Sequence, residues 1–246
     1  TLFTGLEMLS DSIPAFKYAV NKDTITIQGT GDPTLFHPYF KDSTAFKKIK
    51  NYKKVRLALG MHPLYAEKHS EEFSVFLRLI DVTSYIGEIG LDFSKEGLST
   101  KDIQVISFRR ILKVLQGKKK ILSIHSRKAE REVLNCLIDF HAKRAIFHWY
   151  SGPIKLIVEI ANAGFFFSIN NSMIKSKAGQ ARISKIPQNK ILTETDGPFI
   201  EIKGKPVKSS DVKEIIIYLS QIWNCSYSKT DEIINNNFNV LLSSIR

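Results

Sequence analysis

Cysteine is scarce. It occurs twice in 246 residues, as Cys136 and Cys225, each inside an amphipathic run (Leu134-Asn135-Cys136-Leu137-Ile138 and Ile222-Trp223-Asn224-Cys225). Thiols in such settings read as small buried hydrophobes rather than as a disulfide or a reactive nucleophile, so the expected compartment is the cytoplasm. No apolar run reaches about 18 residues, so no membrane span is expected. The opening Thr1-Leu2-Phe3-Thr4 lacks the basic start of a signal peptide, and it also lacks methionine. No repeat, low-complexity stretch or Pro/Gly/Ser-rich linker divides the chain, and its length suits one α/β barrel or one large α/β domain spanning 1–246. Acidic residues are the minority charge. Against 24 Asp and Glu stand 36 Lys and Arg, a net +12 that speeds encounter with polyanions such as DNA or RNA.

What is present is alternation. Short apolar runs at 24–27, 55–60, 85–89, 120–124, 145–147, 165–169 and 190–193 read as strands. Between and after them, 71–80, 102–116, 130–140, 154–163, 178–185, 211–223 and 230–242 read as helices. Gly164 supplies a C-terminal stop for the fourth of these. The opening 6–20 is expected to be a helix interrupted at Pro14. The strands are continuous rather than alternating apolar runs, as parallel strands buried on both faces are. Strand-helix alternation over this length gives α/β architecture, a doubly wound sheet or a barrel.

The chemistry sits where strands end. Gly60-Met61-His62-Pro63 follows one strand; Gly87-Glu88-Ile89-Gly90-Leu91-Asp92 ends the next. His125-Ser126-Arg127, His148-Trp149-Tyr150-Ser151-Gly152 and Thr193-Glu194-Thr195-Asp196-Gly197-Pro198 follow three more. In a β/α barrel all strand C-termini face one rim, so His62, His125, His148, Glu88, Asp92, Glu194 and Asp196 would converge. Imidazoles and carboxylates gathered in one cleft are costly to bury without a cation, and a divalent metal resolves that cost. A mixed His/carboxylate set suits zinc, nickel or manganese, and two metals would polarise a phosphoryl or acyl oxygen and activate water. His37, His69 and His141 sit in polar contexts and are expected at the surface. Trp149 and Tyr150 are candidates to stack a base, and Lys175 and Lys177 to contact phosphate.

These five motifs, in this order and spacing over about residues 55–200, resemble the TatD family of metal-dependent hydrolases. Gln104, upstream of Phe108, also fits the family's helix after the Gly-Leu-Asp motif. The resemblance implies a TIM-like (β/α) barrel of the amidohydrolase-like superfamily and a deoxyribonuclease or phosphodiesterase activity. It implies two divalent metal ions (Mg, Mn or Zn), with Glu88 bridging, His125 and His148 on one metal, and Asp196 on the other or on the attacking water. Catalytic roles fall to Asp196, Glu88, His62 and Glu194, with His62 and Glu194 near a substrate phosphate or a further metal. Asp92 and Arg127 would be supporting residues. A monomer is expected.

The sequence also departs from the family. The family opens on a strand carrying His-x-His, and no such motif occurs here, so that strand is expected upstream of Thr1. After Phe199 the loop reads Ile200-Glu201-Ile202-Lys203-Gly204-Lys205, where family members carry Arg-Gly and Asn-Glu-Pro. Phe167-Ser168-Ile169-Asn170, Met173, Lys175 and Ile186-Pro187 resemble TatD-like members of Qat-type anti-phage defence systems, which implies protein partners from a defence operon. Two other functions stay open: hydrolysis of an amide, lactone or modified peptide on the same scaffold, and a binding role without catalysis if His-x-His is absent from the whole protein.

Overall fold

The computed structural model describes the backbone of residues 16–21, 24–29, 55–197, 199–202, 204–207 and 211–245, with side chains from residue 58 onward, Pro206 excepted. Strands β1 (Phe16–Asn21), β2 (Thr24–Gly29), β3 (Val55–Leu59), β4 (Tyr85–Gly90), β5 (Ile121–His125), β6 (Ala145–His148), β7 (Phe166–Ile169) and β8 (Ile191–Thr193) form one sheet in sequence order. From β2 to β8 every neighbouring pair is parallel, and β1 joins β2 antiparallel. Helix α1 (His69–Leu79) follows β3, α2 (Lys101–Leu115) follows β4, α3 (Glu130–Asp139) follows β5, and α4 (Ile154–Asn162) follows β6. Two short helices, α5 (Asn171–Lys175) and α6 (Lys177–Ile183), follow β7. After β8 come a small hairpin, β9 (Glu201–Ile202) and β10 (Lys205–Pro206), then α7 (Val212–Ile222) and α8 (Tyr227–Ser243). This is the α/β architecture that the alternation predicts, in the TIM-like order that the family resemblance implies.

The expected helix over 6–20 is not what the structure has at its C-terminal part, since 16–21 form β1. Phe16, Tyr18 and Val20 alternate with other residues, and period two with aromatic and β-branched side chains favours a strand. The stretch before residue 16 lies outside the described residues. Helix starts follow local capping chemistry. The side chains of Asn170, Ser176 and Ser226 accept the N–H of Met173, Gly179 and Lys229, opening α5, α6 and α8.

Strand periodicity sorts the side chains. Ala58, Tyr85, Ile121, Ile146, Phe166 and Leu192, at or near the starts of β3 to β8, pack together with Phe238 and Leu241 of α8. Their neighbours of the other parity, such as Leu59, Ile86, Leu122, Phe147, Phe167 and Ile191, pack instead in the larger core that includes Phe76 of α1, Leu112 of α2, Val133 of α3 and Ile157 of α4. Burying a side chain the size of Phe238 contributes about 1.5–3 kcal/mol. Because strand side chains alternate, steps of two from the first set reach Gly60 and His62, Ser123 and His125, His148, Ser168 and Asn170, and Glu194 and Asp196. One face therefore runs from apolar at the strand starts to polar at the strand ends.

Strand β4 reaches the same outcome by an irregularity. Its pairing with β5 shifts between Ile86 and Ile89, with one residue extra on β4. That extra residue brings Glu88, three beyond Tyr85, onto the face it would otherwise miss. Gly87 makes room for it: a Cβ there would lie 2.5 Å from the Ser123 Cβ, and its φ is +157°.

Candidate metal centre

Glu88 lies at the centre of the polar face and is 1% exposed. Its Oε2 is 3.3 Å from His62 Nε2 and 3.3 Å from His125 Nδ1, and its Oε1 is 3.9 Å from His148 Nε2. His148 Nε2 is also 3.5 Å from Asp196 Oδ1, and Asp196 is 2% exposed. Backbone bonds hold the loops in place: Met61 N–H donates to Glu88 O (3.1 Å), Leu91 N–H to His125 O (3.0 Å) and Glu194 N–H to Ile169 O (2.8 Å). Asp196 adopts φ +52° and Trp149 φ +39°, a left-handed region that non-glycine residues seldom occupy. Strained backbone of this kind persists where the surroundings fix it, and it clusters at functional sites.

The rear nitrogens of the histidines are engaged in two ways. His125 Nε2 lies 2.8 Å from Asp92 Oδ2, and His148 Nδ1 lies 2.5 Å from Glu194 Oε2. In both, a buried carboxylate takes the ring proton and turns the other nitrogen toward Glu88. Asp92 is itself fixed, its Oδ1 accepting Ser94 N–H (2.8 Å) and its own N–H donating to Gln104 Oε1 (2.7 Å). Glu194 accepts from Ser168 Oγ, from Asn170 Nδ2 (3.0 Å) and from the Trp149 N–H (3.1 Å). His62 differs, because its Nδ1 accepts the Leu64 N–H at 3.3 Å. A neutral His62 therefore carries its proton on Nε2, the nitrogen nearest Glu88.

Electrostatics follow from the crowding. Burial alone would lower the His148 pKa, but Glu194, Glu88 and Asp196 together push it up to about 10. Burial likewise opposes the charged His125, and its contacts with Asp92 and Glu88 prevail and raise its pKa. For Asp92, burial raises, but the hydrogen bonds from His125 and Ser94 win and hold it at about 2. The surrounding carboxylates thus favour the protonated form of both imidazoles more than water does for a free histidine. The donor chemistry fits a divalent cation in place of those protons. Two sets, His62–Glu88–His125 and Glu88–His148–Asp196, each bring ligand atoms within 4.8 Å of one another, and they share Glu88. The resemblance pairs His125 with His148 on one metal, whereas the structure puts them in different sets on either side of Glu88.

The site opens into a cavity of about 550 Å³, lined among others by His62, Tyr65, Arg127, Trp149, Asp196 and Phe199. Glu194 is not on this wall but behind His148, so it holds an imidazole rather than meeting a substrate phosphate. Arg127 is on the wall and reaches Glu96 at 3.3 Å. Tyr150, a stacking candidate from sequence, is in the core: its ring packs on Phe147 and Phe167 and its hydroxyl donates to Pro153 O at 2.8 Å. Trp149, its neighbour, points the other way and is exposed. Lys175 and Lys177 are off the wall, and Lys175 lies 3.9 Å from Glu214. His69 was expected at the surface and is only 4% exposed, with Nδ1 2.7 Å from Ser107 Oγ and Nε2 3.1 Å from His62 O. His141 is exposed as expected, and His37 lies outside the described residues. Ser168 and Asn170, noted in the sequence only within the 167–170 motif, had no expected role at the site, although their two-residue spacing from Phe166 was the signal that places them on the Glu194 face.

The family described as TatD related DNase matches residues 21–243. The chain is 28% identical over 206 residues to the deoxyribonuclease TATDN3 of Homo sapiens, covering 76% of this chain and 74% of that one. It is 25% identical over 225 residues to an uncharacterized metal-dependent hydrolase of Bacillus subtilis, covering 87% and 85%. Among solved structures, a TatD homolog from Escherichia coli superposes with a TM-score of 0.72 at 19% identity, covering 89% of this chain and 86% of that one, which shows a shared fold.

Proposed function

The chain belongs to the TatD related DNase family of metal-dependent hydrolases, and from that premise we propose that it hydrolyses phosphodiester bonds in nucleic acid, most naturally DNA, at the Glu88 centre. The observation that carries this reading is the pair of carboxylate-backed imidazoles, Asp92–His125 and Glu194–His148, aimed at two buried carboxylates. Ligand histidines are oriented in this way by a carboxylate on their far nitrogen, which fixes the tautomer and raises the basicity of the ligating nitrogen. Glu88, His125, His148 and Asp196 hold the metal, and two divalent ions such as Mg, Mn or Zn suit a set that shares Glu88.

Divalent cations bound there supply Lewis-acid polarisation of the phosphoryl group and activation of water. The protein does the rest. Asp92 and Glu194 hold the proton of the neutral ring on the nitrogen that faces away from the Glu88 site. With its proton on Nε2, His62 would offer an N–H to a phosphate oxygen, although the same nitrogen lies close enough to Glu88 and His125 to belong to the first ligand set. Asp196 orients the attacking water. The protein works as one domain over 1–246, in the cytoplasm, as a monomer. The short motifs around 167–187 support a place in anti-phage defence beside operon partners.

A second reading has one observation in its favour. Among the described residues, Arg127 is the one Lys or Arg that lines the cavity. That would suit a small neutral amide or lactone. Activity on single-stranded DNA and on neutral amide and lactone substrates, measured side by side for the wild type and for Glu88→Ala and Asp196→Ala, decides between them. The expected result is DNA hydrolysis lost by at least roughly a thousandfold in both variants, with circular dichroism unchanged. Retained DNA hydrolysis in both variants would sink the assignment of this site.

A further inference from the structure

A second cavity, of about 160 Å³, opens at the other end of the sheet, between the turn that leads into β5 and the turn that leads into β6. Strands rise about 3.3 Å per residue, which puts it roughly 15 Å from His125 and His148. Its floor is apolar, with the buried Leu112, Leu115 and Leu122 and the half-buried Phe140. Its rim carries Lys118, Lys120, His141, Lys143 and Arg144, and among the described residues no carboxylate lines it. Basic residues beside helix C-termini are ordinary, because each helix end carries about half a negative charge. The ends of α2 and α3, together with Asp81 beside Lys118 and Lys120, offset about two of the Lys and Arg charges, and about two remain.

The rim is held in place before any ligand arrives. Gln116 Nε2 donates to Phe140 O at 3.5 Å and ties the two turns together. Gly117 and His141 take left-handed backbone, φ +73° and +54°, which turns the chain back after each helix. Arg144 donates through Nε to Ser244 Oγ at 2.8 Å, which fixes the plane of its guanidinium, and among the described residues its two terminal nitrogens have no partner. Lys143 has no carboxylate partner among them either. Lys120 Nζ, on a side chain only 10% exposed, donates to Thr83 O at 2.6 Å and lies 3.6 Å from Asp81. Burial lowers the Lys120 pKa, with Asp81 opposing, so a further anion beside it would be stabilising. We propose that this cavity binds a phosphate group, either free phosphate or the phosphate of a mononucleotide. A guanidinium anchored at Nε presents its open fork to two phosphate oxygens, and neighbouring ammonium groups add charge at short range. The inference goes beyond the nuclease reading and does not depend on the metal centre.

The test titrates inorganic phosphate, at constant ionic strength, into the full magnesium-loaded protein carrying isotope-labelled histidine, followed by nuclear magnetic resonance. The His141 ring signal, identified by its loss in His141→Gln, should move and saturate. His125 and His148 report the metal centre in the same spectrum, so phosphate taken up there is told apart. Lys143→Ala and Arg144→Gln should each weaken binding read at His141 by at least about tenfold, with the other histidine signals in place to show that the fold persists. Thymidine monophosphate is then compared with free phosphate. Binding about threefold or more tighter identifies a mononucleotide seated on the apolar floor, and equal binding identifies the phosphate group alone; either result supports the site. A His141 signal that does not saturate, movement confined to His125 and His148, or undiminished affinity in either folded variant overturns it.

Discussion

The Leu64 N–H at His62 Nδ1, the Asp92 carboxylate at His125 Nε2 and the Glu194 carboxylate at His148 Nδ1 give three identical side chains two different chemistries. A donor behind the ring forces the front nitrogen to keep its proton; an acceptor behind it frees the front nitrogen to ligate. His125→Gln and His148→Gln should therefore lose bound metal on dialysis, and His62→Gln should keep it while hydrolysis falls by about ten- to a thousandfold. Elemental mass spectrometry reads the difference, and metal loss in the His62 variant equal to that in the other two would show it to be a ligand. Glu194→Gln tests the support directly. Its amide keeps the shape but loses the charge behind His148, and metal affinity should fall by about 10- to 100-fold by calorimetry. An unchanged affinity would reduce Glu194 to a packing residue. From sequence the histidines are legible as strand-end residues, but which ring nitrogen faces the cavity is not. That depends on partners such as Ser168 and Asn170 that come from another strand.

At the scale of elements, the sequence marks helices and strands well because each carries a continuous apolar run or a 3.6-residue stripe: 102–116 is expected and Lys101–Leu115 is found. It misses what changes phase without changing composition. The extra residue in β4 that turns Glu88 inward adds nothing to a hydropathy pattern. Trp149 and Tyr150 look alike as a pair, and only the left-handed φ at Trp149 separates one to the cavity and one to the core. His69 is hidden for another reason. It opens α1 in a polar context, yet it bridges the His62 loop to Ser107 of α2. Its Nε2–H donates to the His62 carbonyl and its Nδ1 accepts the Ser107 hydroxyl, so the buried neutral ring is satisfied at both nitrogens. Burial lowers its pKa from 6.5 to about 4, against a smaller opposing effect of the His62 backbone bond. The folded state then binds fewer protons than the unfolded chain between those values. This contribution is complete above pH 6.5 and is lost as pH falls toward 4, by about 3 kcal/mol in all. Urea unfolding of the metal-free protein across that window should show the loss, with a flatter profile in His69→Gln; identical slopes would place the titrating group elsewhere.

For the whole molecule, the fold is legible because the polar strand ends must all face one rim, and the parallel order of β2 to β8 delivers that. Substrate is less so, because charge and chemistry are in different places. The excess of 36 basic over 24 acidic residues belongs to the whole sequence, whereas among the described residues the cavity wall contributes Arg127 and three acids, Glu88, Asp92 and Asp196. A field spread over the surface attracts a polyanion at long range, and the centre itself does not. Salt should then act on capture and not on chemistry. If a bound strand meets about four phosphate-contacting cations, raising salt from about 50 to 200 mM should weaken its binding roughly fiftyfold. At saturating DNA, kcat should change little over the same range, because Glu88 and Asp196 are buried from mobile ions. Steady-state kinetics at a series of salt concentrations separates the two. A KM that ignores salt would mean that the basic surface takes no part in substrate binding, and it would turn the reading toward a small neutral ester or amide. A kcat that falls with KM would instead put the screened charges inside the transition state, which the acidic, recessed floor argues against.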